Sequence, residues 1–161
     1  MLNTKAISVG QIIRRIRSCE IAPVYALYGG DAFFEEYFIQ ELTINYSGNK
    51  ENKKYFSLDI DKEEILFKEL STISLFEEKR IIIVREIKRI KSINMRQELI
   101  QYIQAPNHNI SLILISSEYE LTNKFLNQIA KESDFIDMRP PFRQKMKQWV
   151  QYFVKNKNIQ I

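Results

Sequence analysis

Two short runs of aliphatic residues constrain the fold of this chain more than any other feature. They read IIIV at residues 81–84 and LILI at residues 112–115. Neither run alternates with polar residues, which is the pattern of parallel strands that are covered by helices on both faces. A membrane-spanning helix would need about 18 or more apolar residues in succession. The two runs are therefore predicted to be strands of an α/β domain.

Three further strands are predicted around these runs, at residues 24–28, 54–58 and 134–138. Helices are predicted between the strands, at residues 9–18, 31–45, 61–70, 94–104 and 121–132. Asp31 is predicted to cap the second helix, and the pairs Ser8/Gln11 and Asp61/Glu64 have the spacing of a capping box. The alternation of strand and helix predicts an open, five-stranded, mostly parallel sheet with helices on both faces.

A second domain is predicted to begin after residue 139. Two prolines interrupt the chain there, and apolar residues then recur along one face of a helix, at Phe142, Met146, Trp149, Val150 and Phe153. A helix with so large an apolar face needs a partner to cover it. The predicted organisation is an α/β domain at residues 1–139 and the beginning of a helical domain at residues 140–161, which we expect to continue in a longer protein.

Cysteine usage and the N-terminus bear on the compartment. The single cysteine, Cys19, excludes an internal disulfide bond and suits a reducing environment. The first residues contain no apolar stretch of signal-peptide length. We therefore expect a cytoplasmic protein that has no membrane partner, with Cys19 as a small, partly buried side chain.

The net charge of +4 is concentrated in two basic clusters. Residues 80–96 carry six cations and only one acidic residue, and residues 139–157 follow the last acidic residue of the chain. Such clusters attract nucleic acid without sequence preference, although solvated helix faces produce the same pattern. A nucleic-acid-binding module is therefore one open interpretation, with Arg143, Lys145 and Lys147 as candidate DNA contacts.

Gly29, Gly30 and Asp31 lie where a phosphate-binding loop would be found, between the first strand and the second helix. A working loop reads G-x-x-x-x-G-K-[ST], in which the lysine contacts phosphate and the hydroxyl holds magnesium. This chain has neither residue there. In addition, Asp31, Glu35 and Glu36 bring carboxylates to the helix end that would have to hold an anion. The site is therefore predicted to be degenerate and not to bind nucleotide.

No catalytic residue, cofactor or metal ion is expected from the remaining polar residues. Arg85 ends the third strand, where a nucleotide-hydrolysing protein of this architecture would have a carboxylate for its metal ion. The carboxylates of residues 59–64 could bind Mg²⁺, but helix capping explains them with fewer assumptions. His108 lies in a polar loop without a plausible partner for acid–base chemistry.

The segment STISLF, residues 71–76, leaves two interpretations open. In one, Leu75 and Phe76 pack under the sheet and seal the core. In the other, Ile73, Leu75 and Phe76 form an exposed hydrophobic plug, with Ser74 between them. A short loop with a few apolar side chains fits the anchors that fill a pocket at a protein interface.

Three stretches resemble the N-terminal region of the delta subunit of the bacterial DNA polymerase III clamp loader. VYALYGGDAFFEE, residues 24–36, resembles the first strand and degenerate phosphate loop of that family. ISLFEEKRIIIVRE, residues 73–86, resembles its signature loop and strand. LIQYIQAPNHNISLILISSE, residues 99–118, resembles the helix and strand that follow. The order and spacing of these stretches cover nearly all of residues 20–157.

The resemblance implies an AAA+-type first domain that does not hydrolyse ATP. It also implies that Ile73, Leu75 and Phe76, with Ser74, dock into the β sliding clamp, and that the protein helps to open this ring for loading onto primed DNA. The helix at residues 62–70 leads into the plug, so we expect it to press on the clamp. Other clamp-loader subunits would be contacted through a C-terminal collar domain that lies outside this sequence.

Overall fold

The computed structural model describes residues 4–47, 52–72 and 78–156 of the chain. Within these ranges, five strands are present: β1 (Val24–Tyr28), β2 (Lys53–Ser57), β3 (Arg80–Arg85), β4 (Ile110–Ser116) and β5 (Asp134–Asp137). The α-helices are α1 (Val9–Arg17), α2 (Ala32–Ser47), α3 (Glu63–Ser71), α4 (Ile93–Gln104), α5 (Lys124–Glu132) and α6 (Arg143–Asn156). None of the helices in these ranges is both long enough and apolar enough to cross a membrane.

The strands form one parallel sheet in the order β2-β3-β4-β1-β5. The two aliphatic runs lie side by side on β3 and β4 in the interior of the sheet, where Ile82 pairs with Leu112 and Val84 with Leu114. Interior strands of a parallel sheet lose both faces to helices, and for this reason the runs contain no polar positions. The predicted α/β fold is confirmed.

Each interior strand contributes alternately to two hydrophobic cores, one on each face of the sheet. Ile82 and Val84 pack in the core that includes side chains of α3, α4 and α5, whereas Ile81 and Ile83 pack in the core that includes α1 and α2. All four side chains are fully buried. Burial of an aliphatic side chain contributes about 1.5–3 kcal/mol to the stability of the fold. The sheet is therefore a rigid frame for the loops at its amino edge, where the strands begin, and at its carboxyl edge, where they end.

Two of the predicted helix caps are observed. Ser8 accepts a hydrogen bond from the backbone N–H of Gln11, and the Gln11 side chain accepts one from the N–H of Ser8, which completes a capping box at the start of α1. Asp31 Oδ1 accepts a hydrogen bond from the backbone N–H of Phe34 at 3.0 Å. Both caps satisfy amide groups that have no partner within the helix.

The capping box predicted for Asp61 and Glu64 is wrong. The residue that precedes α3 is Lys62, which makes no side-chain cap. Asp61 instead accepts a hydrogen bond from the backbone N–H of Ser57 at 2.8 Å and so closes the turn that follows β2. The spacing alone could not distinguish these two uses of one aspartate, because a turn and a helix cap need the same short acceptor side chain.

Two local features differ from the predicted elements. Helix α5 begins at Lys124, later than the predicted residue 121, and Asn123 caps it by accepting hydrogen bonds from two backbone N–H groups. A short 3-10 helix, Ile87–Arg89, follows β3 and was not predicted. It begins after Glu86, whose φ of 60° lies in the left-handed region and redirects the chain as it leaves the sheet.

Helix α6 packs on α2 through aromatic side chains. The rings of Trp149 and Phe34 are 5.0 Å apart between centroids. The ring of Phe153 lies 5.1 Å from that of Phe33 and 4.9 Å from that of Tyr37. The rest of the predicted apolar face remains exposed, at 88% for Phe142, 47% for Met146 and 53% for Val150. The division into two domains after residue 139 stays a prediction.

Candidate functional site

Residues 73–77, which we call the plug loop, lie outside the described residues, and with them the predicted clamp contacts Ile73, Ser74, Leu75 and Phe76. The structure does describe the two stems of the loop, namely the end of α3 at Thr72 and the start of β3. Both stems lie at the amino edge of the sheet, where the parallel strands begin. The backbone N–H of Arg80 donates there to the carbonyl oxygen of Asn109, at 2.8 Å, just ahead of β4.

The side chain of Arg80 joins the two stems. Its Nη1 lies 2.8 Å from Oε1 of Glu69 on α3, and its Nη2 donates to the carbonyl oxygen of Thr72 at 2.9 Å. Both charged side chains are largely buried, with 12% of Arg80 and 16% of Glu69 exposed. Lys54 on β2 contacts the same Glu69 oxygen at 2.9 Å. The base of the plug loop is therefore a partly buried, charged cluster.

Further hydrogen bonds hold the stems from outside. Asn52 Nδ2 donates to the carbonyl oxygen of Lys79 at 3.2 Å, which ties the second stem to the residue before β2. Thr72 Oγ1 donates to the carbonyl oxygen of Lys68 at 2.7 Å, at the end of α3. Both stems are thus held by hydrogen bonds to residues outside the plug loop.

The position of Arg80 in the sequence indicates this cluster, although the distribution of basic residues along the chain does not. Arg80 directly precedes four buried aliphatic residues, and a cation that enters a buried strand needs a partner. A carboxylate on the preceding helix, such as Glu69, is the simplest source, because that helix ends at the edge where β3 begins. The charge pattern along the chain instead groups Arg80 with the neighbouring cations of the basic cluster at residues 80–96.

The Gly29–Gly30 turn lies at the opposite edge, where the strands end. Both glycines have positive φ, 136° for Gly29 and 87° for Gly30. A Cβ on Gly29 would collide with the backbone of Met138 and Arg139, and one on Gly30 would lie 2.7 Å from the carbonyl oxygen of Ser117. The glycines are therefore explained by close packing of the turn between the ends of β4 and β5.

The first turn of α2 carries a carboxylate that is engaged within the protein. Glu35 is 3% exposed, and its Oε2 lies 2.8 Å from Nη1 of Arg85 at the end of β3. Glu35 is one of the carboxylates that disfavour a phosphate-binding loop, Arg85 replaces the carboxylate of a metal-binding strand end, and here the two side chains pair with each other. The arrangement offers an anion neither a lysine nor an unopposed helix N-terminus. That the turn does not bind nucleotide stays a prediction.

Most of the basic cluster at residues 80–96 is paired with carboxylates from other elements. Lys88 Nζ lies 2.6 Å from Glu118 and 2.7 Å from Glu120, and Arg89 Nε lies 2.8 Å from Oδ1 of Asp59. The hydrogen bonds to Glu118 and then to Glu120 raise the pKa of Lys88, and the hydrogen bond from Lys88 lowers the pKa of Glu118. The acidic partners come from residues distant in sequence, so composition along the chain overstated the charge of this surface.

The carboxylates of residues 59–64 do not converge. Asp59 pairs with Arg89, and Asp61 closes the turn after β2. Within the described ranges, no group of three or more histidine, cysteine, aspartate or glutamate side chains could hold a metal ion. His108 is exposed, and Cys19 is exposed rather than partly buried, so the expectation for Cys19 is corrected.

Several cations on helix α6 have no carboxylate partner among the described residues. Arg143, Lys145, Lys147 and Lys155 are exposed and form no ion pair with any described carboxylate. Arg143 and Lys147 are four residues apart and share one side of the helix. Lys145 instead lines a cavity of about 910 Å³ that α6 encloses with α1, α2 and residues 137–142. Arg139 differs from these cations, because it pairs with Asp137 at 2.7 Å.

A polar network centred on Arg17 fixes α6 to the body of the protein. The guanidinium donates to both carboxylate oxygens of Glu41, at 3.0 and 2.9 Å, and to the hydroxyl of Tyr152 on α6 at 2.8 Å. Burial, followed by the hydrogen bond with Tyr152, raises the pKa of Tyr37. The same hydrogen bond from Tyr37, followed by that from Arg17, lowers the pKa of Tyr152. The position of α6 is therefore set by charge as well as by aromatic packing.

Comparisons with known proteins agree with the fold. A family model described as DNA polymerase III, delta subunit, matches residues 25–139. No curated protein sequence matches the chain. The solved structure of the Bacillus subtilis DNA clamp loader delta protein has a TM-score of 0.75 at 18% identity, over 92% of this chain and 48% of that one.

Two structures from Thermotoga maritima are also similar. A protein related to the DNA polymerase III gamma subunit has a TM-score of 0.57 at 12% identity, over 89% of this chain and 49% of that one. RuvB has a TM-score of 0.55 at 13% identity, over 94% and 50%. The chain thus spans about half the length of each of these structures, and at such identities the likeness is one of fold.

Proposed function

Since the chain belongs to the DNA polymerase III delta-subunit family, we propose that it binds the ring-shaped β sliding clamp through the plug loop and helps to open the ring for loading onto primed DNA during replication. Ile73, Leu75 and Phe76 are the anchors, with Ser74 between them. The observation that carries the proposal is the ISLF sequence at a loop whose two stems are pinned together by one buried arginine.

The position of the loop supports this function. The stems lie at the amino edge of the sheet, away from the Gly29–Gly30 turn and from helix α6 on α2. A partner at this edge would therefore meet the end of α3 and the residues that precede β4. Ile65 on α3 is a large apolar side chain that is 52% exposed to solvent.

The apolar anchors provide enough energy for a specific contact. Each fully buried side chain of this size contributes about 1.5–3 kcal/mol. Two or three anchors give a gross gain of roughly 4–8 kcal/mol before the cost of association is subtracted. If the plug binds the open ring more tightly than the closed ring, this difference in affinity shifts the ring toward the open state. No nucleotide hydrolysis by this chain is required.

Calorimetric titration of the chain with the β clamp of the same organism tests the proposal. We expect micromolar or tighter binding, and loss of binding in the variant Leu75→Ala/Phe76→Ala. The matched control is Phe142→Ala/Val150→Ala, which removes two exposed apolar side chains from α6 and should leave the affinity unchanged. A folded wild-type chain that does not bind the clamp would show that the anchors serve the core and not a partner.

Ring opening is the second part of the proposal and depends on α3. This helix runs directly into the plug loop, so its exposed face is the surface nearest to a docked clamp. Glu64, Ile65 and Lys68 are exposed on it. A variant with all three replaced by alanine is expected to bind the clamp but to open it less in a clamp-opening assay. Unchanged opening would remove α3 from the mechanism.

DNA contact through α6 is a further, weaker component. Arg143, Lys145 and Lys147 are candidate contacts because they are exposed and have no carboxylate partner among the described residues. Other clamp-loader subunits would be bound by a collar domain outside this sequence, and the protein would act in the cytoplasm. A nucleic-acid-binding module without a clamp function is the alternative, and it would show tight DNA binding by the isolated chain.

A further inference from the structure

We propose that Arg80 is a positioning residue for the plug loop, an inference that rests on the proposed function. Its guanidinium holds the end of α3 and the start of β3 in one fixed relation, so that the loop between them begins and ends at defined points. The residue does not contact the clamp. It acts through the stems, whose fixed relation sets where the loop is presented to the clamp.

The geometry of the contact supports this role. One guanidinium nitrogen donates to the Glu69 carboxylate at 2.8 Å, and the other donates to the backbone carbonyl oxygen of Thr72 at 2.9 Å. Thr72 is the last described residue before the plug loop. A bond to this carbonyl therefore fixes the backbone at the point where the loop begins. Linking the ends of a loop removes closure entropy that binding would otherwise have to supply.

The planar shape of arginine is needed for this arrangement. A guanidinium presents several N–H donors in a rigid fork, and here the two terminal nitrogens reach a side chain and a main-chain oxygen at once. A lysine ammonium at the same position is a single point of charge on a flexible stem. It could neutralise Glu69, but it lacks the two separate, rigidly spaced nitrogens that bind Glu69 and Thr72 here. The variant Arg80→Lys therefore keeps the charge but loses the fork, and its effect should lie between those of wild type and Arg80→Met.

Strand β3 does not depend on this side chain for its place in the sheet. The backbone of Arg80 pairs with Ile110 of β4 and donates to Asn109, whatever side chain the residue carries. Removal of the guanidinium also leaves Glu69 with a second cation, Lys54, at 2.9 Å. No isolated buried charge is created, so the variant Arg80→Met is expected to fold.

The test compares the wild-type chain with Arg80→Met and Arg80→Lys, with Arg89→Met as the matched control. Arg89 makes an ion pair of the same 2.8 Å length with Asp59 at the opposite edge of the sheet. Thermal unfolding first establishes that each variant is folded. Hydrogen exchange is then measured at the backbone amides of residues 72–80, and clamp binding is followed by stopped flow or surface-bound kinetics.

In Arg80→Met, the backbone amides of the stems are expected to exchange faster, and the clamp is expected to bind about tenfold more weakly. The association rate should account for this loss, whereas the dissociation rate should stay nearly unchanged. This split distinguishes positioning from contact, because a smaller binding-competent fraction lowers the apparent affinity without weakening the bound complex. Arg80→Lys should fall between Arg80→Met and wild type. The control Arg89→Met should match wild type in all measurements.

Two results would overturn the positioning role of Arg80. Equal exchange and equal affinity of wild type and Arg80→Met, in chains that both bind, would overturn the role of Arg80 and leave the clamp function intact. A loss that appears entirely in the dissociation rate would also overturn it, because Arg80 would then be a contact. Failure of the wild-type chain itself to bind the clamp is seen before any variant is made and counts against the proposed function. If Arg80→Met does not fold, Glu69→Gln and Arg80→Lys test the same link.

Discussion

Cys19 occupies a backbone position that is normally suited to glycine. It follows α1 with φ of 61°, in the left-handed region. The N–H of Cys19 donates to Ile16 and that of Glu20 donates to Arg15, both at 2.9 Å, which is the hydrogen-bond pattern of a Schellman motif. A side chain in this conformation costs roughly 1–2 kcal/mol relative to glycine. The helix end is therefore strained by the residue that terminates it.

The substitution Cys19→Gly should stabilise the protein by up to about 1 kcal/mol, because the release of strain is partly offset by the extra freedom that glycine gives the unfolded chain. Urea-induced unfolding followed by circular dichroism measures the change. Cys19→Ala keeps the Cβ and should lie within about 0.5 kcal/mol of wild type. Equal stability of the glycine and alanine variants would mean that the backbone at this position is unstrained.

Single residues were predictable from the sequence where their partners are local. Ser8 and Asp31 cap helices that begin beside them, and both caps were found. The ion pairs of Arg80 and Arg85 could not be predicted from the sequence. Their partners, Glu69 and Glu35, are distant along the chain and come close only in the fold. The exposure of Cys19 was likewise missed, since burial is decided by elements that pack elsewhere.

At the scale of elements, α6 is held to the body of the protein chiefly at its C-terminal half. Trp149, Tyr152 and Phe153 make the contacts, whereas Phe142 and Met146 are exposed nearer the N-terminus. The helix periodicity in the sequence predicted one apolar face, and the structure uses only part of it. A helical wheel gives the direction of a face but not the size of the surface that covers it.

Truncation of one aromatic ring should loosen α6 without unfolding the sheet. Phe153→Ala removes the two ring contacts that this residue makes with α2, those with Phe33 and Tyr37, which are worth roughly 0.5–1.5 kcal/mol each. Amide hydrogen exchange in residues 143–156 is expected to rise by about tenfold or more, while exchange in β3 and β4 stays slow. Val150→Ala, on the same helix and 53% exposed, should change neither. A parallel rise in the strands would show that α6 and the sheet unfold as one unit.

At the scale of the whole molecule, the two basic clusters differ in a way that composition could not reveal. Four of the six cations at residues 80–96 form ion pairs, whereas Arg143, Lys145 and Lys147 on α6 are exposed and form none with the described carboxylates. We therefore expect α6 to contribute more than residues 80–96 to the long-range attraction of an anionic polymer. The same reasoning explains what the sequence predicted well: the fold class follows from burial patterns along single strands, but surface charge depends on which distant segments meet.

The difference is measurable as salt dependence of DNA binding. Arg143→Gln/Lys147→Gln should make the slope of log affinity against log salt shallower by about 1.4 for single-stranded DNA and about 1.8 for duplex, if both side chains contact phosphates. The charge-matched control Lys88→Gln/Arg89→Gln should leave the slope nearly unchanged. A larger effect of the control pair would place the DNA-binding surface at the edge of the sheet instead of on α6.

The chain has one tryptophan, and it lies in the contact between α6 and α2. The indole of Trp149 is 5.0 Å from the ring of Phe34 and 5.6 Å from that of Phe153, measured between centroids. Because no other indole contributes, the emission spectrum of the unlabelled protein reports the solvation of this one contact. Intrinsic tryptophan fluorescence therefore reports how α6 packs on α2, and it can be followed during titration with a clamp, DNA or nucleotide without attaching a dye.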